Sequence, residues 1–90
     1  MKLRFTQVAL RQIDTTLAYL QDRSRSGSLA VGRRIRDVTV MLAQHPDAGQ
    51  MTDKPGVRRA VLTPYPFVIY YRVTESEVVI MRFRHAAREG

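Results

Sequence analysis

The spacing of apolar residues changes near the middle of the chain, and this change limits the available folds more than any other feature. From Ala9 to Leu20, apolar residues recur at intervals of three and four, which predicts one buried face of a helix. Residues 57–63 and 67–73 are instead rich in β-branched and aromatic side chains, a pattern typical of buried strands. Because helices and strands occupy separate regions, the chain is predicted to be an α+β protein.

The first half predicts a helix hairpin. Thr6 can cap a helix that ends near Asp22, and residues 23–28, rich in serine, glycine and arginine, are predicted to form a short loop. A second helix continues until Pro46 prevents its extension. The apolar stripe of this helix is Val31, Ile35, Val38 and Leu42. We therefore expect two antiparallel helices with apolar faces directed at a common core.

The remaining segments predict a sheet. Residues 2–5 alternate apolar and basic side chains, as in an edge strand. After an irregular connection at residues 45–56, strands are predicted at 57–63, 67–73 and 78–84, separated by turns, the first of which contains Pro64 and Pro66. The expected architecture is β-α-α-β-β-β, a helix hairpin packed on a small antiparallel sheet, with one domain over residues 1–90.

Composition narrows the functional classes. The chain has 90 residues and no cysteine, so neither a disulfide framework nor a thiolate metal site is available, and no metal or cofactor is expected. The longest apolar run, at residues 67–71, is too short to span a bilayer, which favours a cytoplasmic protein without a membrane partner. The net charge of +7 favours an acidic partner: nucleic acid, an enzyme bound to nucleic acid, or an acidic protein.

The last third of the chain, VRRAVLTPYPFVIYYRVTESEVVIMRFRHAAREG, closely resembles ParE-type toxins of the RelE/ParE superfamily. The shared features are an arginine-led strand, the pair Tyr71 and Arg72 at the end of the next strand, and a basic strand end followed by His-x-x-Arg at His85 and Arg88. The segment HPDAG after the second helix also fits these toxins. The resemblance extends over essentially the whole chain.

This resemblance implies the toxin of a type II toxin–antitoxin system, a class associated with plasmid stabilization and growth inhibition. Its partner would be an acidic antitoxin, ParD-like or RelB-like, and the toxin would contact DNA only through the antitoxin complex. A basic surface beside apolar grooves is suited to an acidic amphipathic helix and to a strand added at the sheet edge. In the superfamily, ParE-like members inhibit DNA gyrase and RelE-like members cleave mRNA on the ribosome.

The candidate site residues decide between these two activities. RNA cleavage needs a proton acceptor, cations at the phosphate and an acid. His85 could act as acid or base, and the cations would come from Arg82, Arg84 and Arg88, with possible additional contacts from Lys54, Arg58 and Arg59. Two departures from RelE-like toxins argue against cleavage: Val68 stands at or near the place of a strand arginine, and the tail beyond Arg88 lacks a tyrosine or histidine.

The leading hypothesis is therefore a ParE-like gyrase inhibitor without enzymatic activity, whose target-binding residues are Arg82, Arg84, His85 and Arg88. One alternative is a RelE-like, ribosome-dependent and metal-independent mRNA endonuclease in which His85 and Arg88 are catalytic. A third is a toxin fold that has lost toxicity and binds only its antitoxin.

Strand alternation gives each of these residues a simpler structural interpretation. In a regular strand His85 would share an inward face with Val79 and Met81, as a structural histidine. Arg82 and Arg84 would then share the open face with residues 78 and 80, where they could merely solvate the sheet.

Overall fold

Both predicted helices and all four predicted strands occur in the expected order, with one additional two-residue strand. The computed structural model describes residues 1–88. The strands are β1 (Lys2–Phe5), β2 (Gln50–Met51), β3 (Val57–Val61), β4 (Phe67–Val73) and β5 (Glu77–His85); the helices are α1 (Gln7–Arg23) and α2 (Arg25–Gln44), and 3₁₀ turns lie at Pro46–Ala48 and Ala86–Arg88. The predicted α+β architecture, β-α-α-β-β-β, is confirmed.

The first helix begins where the sequence predicted. The Thr6 hydroxyl oxygen accepts a hydrogen bond from the Ala9 N–H at 3.1 Å, and the hydroxyl donates to the Met81 carbonyl at 3.1 Å. The same side chain therefore satisfies a free amide of the first helical turn and ties α1 to β5.

The predicted loop at residues 23–28 is wrong, because Ser24 alone separates the two helices. Ser24 has extended backbone angles, its N–H donates to the Leu20 carbonyl, and its hydroxyl accepts from the Gly27 N–H at 3.0 Å. One residue thus ends α1 and caps α2. Ser28, also predicted to lie in the loop, is buried in α2 and donates to the Leu17 carbonyl at 2.9 Å.

The strands form one sheet in the order β1-β5-β4-β3-β2. The β3-β4-β5 meander is antiparallel as predicted, and β1 is an edge strand as predicted. However, β1 lies parallel to β5, with Leu3 opposite Val78 and Phe5 opposite Ile80, so the sheet is mixed rather than wholly antiparallel. No short turn links these two strands, so the local sequence does not fix their relative direction.

A bulge in β5 changes the faces on which its side chains lie. Tyr70 is opposite Arg82, whereas the next residue, Tyr71, is opposite Ile80, which leaves Met81 as the extra residue on β5. The alternation of side chains is therefore reversed between the two halves of the strand.

Because of this bulge, the alternation predicted for the side chains of β5 is wrong in the first half of the strand. Val78 and Ile80 pack in the core beneath the helices, not on the open face. Val79 lies on the open face, opposite Arg72 of β4, and Arg82 and Arg84 follow it there. The prediction failed at this point because a regular period of two cannot accommodate an inserted residue.

The core lies between the helix hairpin and one face of the sheet. Its residues are Ala9, Ile13, Val31, Ile35, Val38, Leu42, Ala60, Leu62, Phe67, Ile69, Tyr71, Val78, Ile80 and Phe83. Tyr71 is fully buried in this core. Its hydroxyl donates to the Pro46 carbonyl at 2.6 Å and accepts from the Gly49 N–H at 2.9 Å. Burial raises the pKa of Tyr71, and the Gly49 hydrogen bond partly opposes this rise.

Within residues 1–88, neither helix combines the length and the apolar character needed to cross a bilayer.

Candidate target-binding site

The last five residues of β5 extend beyond β1 and are held by α1 instead. The β1 register pairs end at Ile80. Beyond this point the Gln12 side-chain oxygen accepts a hydrogen bond from the Phe83 N–H at 2.8 Å. The Thr6 hydroxyl, just before α1, donates a hydrogen bond to the Met81 carbonyl. Side chains of α1 therefore satisfy exposed polar groups of the strand edge and fix the basic end of β5 against the helix.

The predicted residues Arg84, His85 and Arg88 meet in one cleft of about 470 Å³ between β5 and α1. We call it the β5–α1 cleft; its other lining residues are Arg11, Gln12, Thr15, Thr16 and Phe83. No carboxylate of the described chain lines it. The cleft is therefore electropositive and suited to an anionic group.

Arg82 and Arg84 also line a second cleft, of about 460 Å³, on the face of the sheet that the helices leave uncovered. We call it the open-face cleft; its other lining residues are Thr52, Asp53, Lys54, Val57, Tyr70 and Met81. Arg84 belongs to both clefts, so the two basic surfaces are continuous around the end of β5.

Three arginines lie at the end of β5 or just beyond it. Arg82, Arg84 and Arg88 are exposed and have no salt-bridge partner within residues 1–88. Arg4, on the same sheet face, is instead paired with Glu77 at 3.0 Å. The guanidinium groups of Arg82, Arg84 and Arg88 therefore add to the positive field at the end of β5.

His85 is exposed and lies on the side of the sheet that faces the helices. Its Nδ1 accepts a hydrogen bond from the Ala87 N–H at 3.1 Å, and its ring packs edge-on against Phe67 with 5.5 Å between centroids. The lone pair of Nδ1 is thus used within the chain, which leaves Nε2 to meet a partner. The His85 ring is therefore held in one orientation, in which Nε2 can form a hydrogen bond with a partner.

The three additional basic candidates, Lys54, Arg58 and Arg59, do not lie on one face of the sheet. Lys54 lies at the open-face cleft, and Arg59 is opposite Tyr70 on the same face. Arg58 points to the other face, where it donates to the Gly49 carbonyl at 2.9 Å and forms a 3.5 Å salt bridge with Asp47. Arg58 therefore holds the connection before β2 in place and is not grouped with the other two.

This division limits the chemistry available at the site. His85 and Arg82 lie on opposite sides of the sheet, and Lys54 is on the side of Arg82. His85 therefore does not converge with Arg82 and Lys54 on one phosphate group, whereas Arg84 lines both clefts. Val68, at or near which a RelE-like toxin is expected to carry its strand arginine, is 1% exposed and opposite Arg84.

Sequence reasoning missed the contribution of α1. Arg11, Gln12 and Thr15 lie outside the apolar stripe that runs from Ala9 to Leu20, yet they line the β5–α1 cleft. A usable signal existed in strand length, because the four residues of β1 cannot cover the whole of a seven- to nine-residue neighbour such as β4 (Phe67–Val73) or β5 (Glu77–His85). Some other element must then cover the exposed edge.

Comparison with known proteins identifies the family. A model described as the ParE toxin of type II toxin–antitoxin systems matches residues 3–90. The chain is 30% identical over 88 residues to the protein Y4kP of Sinorhizobium fredii, covering 98% of this chain and 91% of that protein. It is 31% identical over 84 residues to toxin RelE2 of Caulobacter vibrioides, covering 93% of each.

A solved structure agrees with the sequence matches. A chain of the chromosomal ParDE toxin–antitoxin system from P. aeruginosa superposes with a TM-score of 0.82 at 25% identity, covering 94% of this chain and 95% of that chain. The resemblance found in the last third of the sequence is thereby confirmed. The match over nearly the whole length shows that the chain is a toxin of a type II toxin–antitoxin system and belongs to the ParE toxin family.

Proposed function

We propose that this toxin inhibits DNA gyrase by binding it, without making or breaking a covalent bond. The observation that carries the proposal is the convergence of Arg84, His85 and Arg88 in one electropositive cleft, with Arg82 adjacent on the open face. An inhibitor needs only a complementary surface. Hydrogen bonds from such arginines to carboxylates or phosphates contribute about 1.5–3 kcal/mol each.

In this proposal the remaining cations have different roles. Lys54 and Arg59 add positive charge on the open face, whereas Arg58 supports the fold through Gly49 and Asp47. Because gyrase acts on DNA in the cytoplasm, the proposal also places the toxin there. The neutralising partner is a ParD-like antitoxin, through which the complex contacts DNA.

The alternative function is a ribosome-dependent mRNA endonuclease. The open-face cleft favours it, since Lys54, Arg82 and Arg84 surround Tyr70 there and could bind a phosphate chain beside a base. The position of His85 on the other side of the sheet disfavours it. Under this alternative, the cations of the open face would matter more than Arg88.

The test compares Arg88→Ala with Arg33→Ala, an equal loss of charge at an exposed position of α2. Loss of one charge-assisted contact should raise the toxin concentration that half-inhibits gyrase supercoiling by about tenfold or more. Arg33→Ala should leave that concentration unchanged. Circular dichroism verifies that both variants are folded.

A ribosome-programmed mRNA cleavage assay is run on the same preparations. Gyrase inhibition with intact mRNA supports the proposal, whereas cut mRNA with unaffected gyrase establishes the endonuclease instead. Activity in neither assay, from folded protein, would indicate an antitoxin-binding module. Full gyrase inhibition by Arg88→Ala would remove Arg88 from the site.

A further inference from the structure

Helix α1 forms one wall of the β5–α1 cleft. The residues of this wall recur at intervals of four, which places them on one face of the helix. They are Arg11, Gln12, Thr15 and Thr16. Strand β5 and the 3₁₀ turn that follows it form the other wall, with Arg84 on the strand and Arg88 in the turn. The cleft is therefore built from three elements, and each element contributes one arginine.

The Arg11 side chain is directed at the cleft and is not paired with a carboxylate. Arg11 is exposed and has no salt-bridge partner within residues 1–88. Asp14 follows three residues later, a spacing at which two helical side chains can form an ion pair. In the described part of the chain this pair is not formed, and Asp14 does not line the cleft. The Arg11 guanidinium is therefore available to a partner that enters the cleft.

The grouping of these arginines disfavours the free protein and favours a bound anion. Arg11, Arg84 and Arg88 line one cleft, and no carboxylate of residues 1–88 lines it with them. Like charges held together repel one another, and an anion placed among them removes this repulsion. An arrangement that lowers stability in this way is typical of a binding site and not of a support for the fold.

The hydrogen bond between Gln12 and Phe83 joins the sequence neighbours of Arg11 and Arg84. The Gln12 oxygen accepts from the Phe83 N–H at 2.8 Å. Phe83 is itself fixed, since it is 3% exposed and its ring stacks on Phe67 with 5.1 Å between centroids. Gln12 therefore sets the separation of the two arginine backbones across the cleft. Cations that are positioned before binding lose less conformational freedom when the partner arrives.

We propose that α1 forms part of the target-binding site. Arg11 binds the same anionic group of the target as Arg84 and Arg88. Gln12 is a positioning residue that holds Arg11 and Arg84 at the separation this group requires. The contact with the target rests on the proposed function, whereas the anion site rests on the cleft alone.

The contact is tested with Arg11→Ala in the gyrase supercoiling assay. Arg33→Ala is the matched control, because it removes the same charge from an exposed position of α2 outside the cleft. Loss of one charge-assisted contact should raise the half-inhibiting toxin concentration by about tenfold or more, and the control should change it by less than about twofold. The urea midpoint of Arg11→Ala should equal or exceed that of the wild type, since a repulsion is removed.

Arg11→Gln, which keeps much of the side-chain length, is the second variant and serves if Arg11→Ala fails to fold. Full gyrase inhibition by a folded Arg11 variant would overturn the contact. Equal weakening by Arg33→Ala would also overturn it, because the effect would then reflect only the net charge of the toxin.

The positioning role is tested by combining Arg11→Ala with Gln12→Leu, which removes the hydrogen-bond acceptor. If Gln12 positions Arg11, then Arg11→Ala should weaken inhibition by less than about threefold in the Gln12→Leu background, against about tenfold in the wild type. A purely structural role of Gln12 would lower the amount of folded toxin and leave the effect of Arg11→Ala intact. An intact effect would therefore overturn the positioning role.

The anion site is tested without gyrase, with inorganic phosphate as the probe. Phosphate is titrated at constant ionic strength while the amide signals of Phe83 and Arg84 are followed by nuclear magnetic resonance. The wild-type signals should shift to saturation. Arg11→Ala should weaken phosphate binding by about fivefold or more, and Arg33→Ala by less than about twofold.

The two kinds of assay separate the site from its target. Shifts that do not saturate, or an unchanged phosphate affinity in Arg11→Ala, would overturn the shared anion site. If the wild-type toxin binds phosphate through Arg11 but does not inhibit gyrase, the proposed target is wrong and the anion site stands.

Discussion

The Tyr71 hydroxyl connects the sheet to the segment between α2 and β2, and its removal gives a stability prediction with a calculable size. Tyr71→Phe keeps the buried ring but removes the hydrogen bonds to the Pro46 carbonyl and from the Gly49 N–H. Gly49 is buried, so its N–H would lose its partner without access to water.

Two terms set the magnitude. A buried donor without a partner costs about 1–3 kcal/mol, and the lost hydrogen bond to the half-buried Pro46 adds about 0.5–1.5 kcal/mol. We therefore expect the free energy of unfolding to fall by about 2–4 kcal/mol. In a domain of this size such a loss lowers the melting temperature by on the order of 10–30 °C.

Urea unfolding followed by circular dichroism measures the change. Tyr19→Phe is the control, because Tyr19 is 56% exposed and water can hydrate its hydroxyl. Its stability should stay within about 0.5 kcal/mol of the wild type. If Tyr71→Phe also stayed within that interval, the two hydrogen bonds would not stabilise the fold and the reasoning would be refuted.

Alkaline pH provides a second measurement on the same pair of proteins. The pKa of Tyr71 is raised above its ordinary 10.0, chiefly by burial, so the unfolded state loses this proton more readily than the folded state. The stabilisation is complete below pH 10.0 and is lost as the pH rises through the higher folded pKa. Tyr71→Phe lacks this titration, so the stability difference between wild type and variant should shrink above pH 10.0.

Two further substitutions, each paired with a control substitution, test the helix cap at Thr6 and the backbone conformation at Gly56. Thr6→Ala removes the cap on the Ala9 N–H and should lower the free energy of unfolding by about 1–2 kcal/mol in urea titrations, whereas Thr6→Ser should retain most of it. Gly56 has φ of 74°, so Gly56→Ala should cost about 1–2 kcal/mol by thermal unfolding. Gly32→Ala, in the interior of α2, places the new Cβ 4.0 Å from the Leu17 side chain, an ordinary van der Waals contact, and should instead stabilise by about 0.5–1 kcal/mol. Equal effects of the two glycine changes would contradict the role given to the Gly56 dihedral.

Most of the fold could be predicted because its signals are local. Thr6 marks the start of α1, Pro46 marks the end of α2, and Pro64 with Pro66 separates two strands. The direction of β1 could not be predicted, since it depends on a partner more than seventy residues away. The one-residue connection at Ser24 was missed because serine and glycine at helix ends favour a cap and a loop equally.

The candidate site was predictable in part for the same reason. Arg84, His85 and Arg88 are neighbours in sequence at a strand end, and the structure places them around one cleft. Gln12 joins them only through a tertiary contact with Phe83, which no local pattern encodes. Arg58 and Arg59 looked equivalent in the sequence, and the pleat of β3 directs them to opposite faces.

The extra residue at Met81 shifts the sequence positions of β5 by one between the two sides of the bulge. Deleting it would leave Tyr70 opposite Arg82 and Tyr71 opposite Ile80, so Arg82, Arg84 and His85 would keep their faces and only the bulge would be lost. A relative without this residue would therefore present its C-terminal cations on the same faces, although its β5 residues before the bulge would differ by one position in a count from the end of the strand. The two halves of β5 are therefore best aligned separately in this family, since one continuous count carries the offset across the bulge.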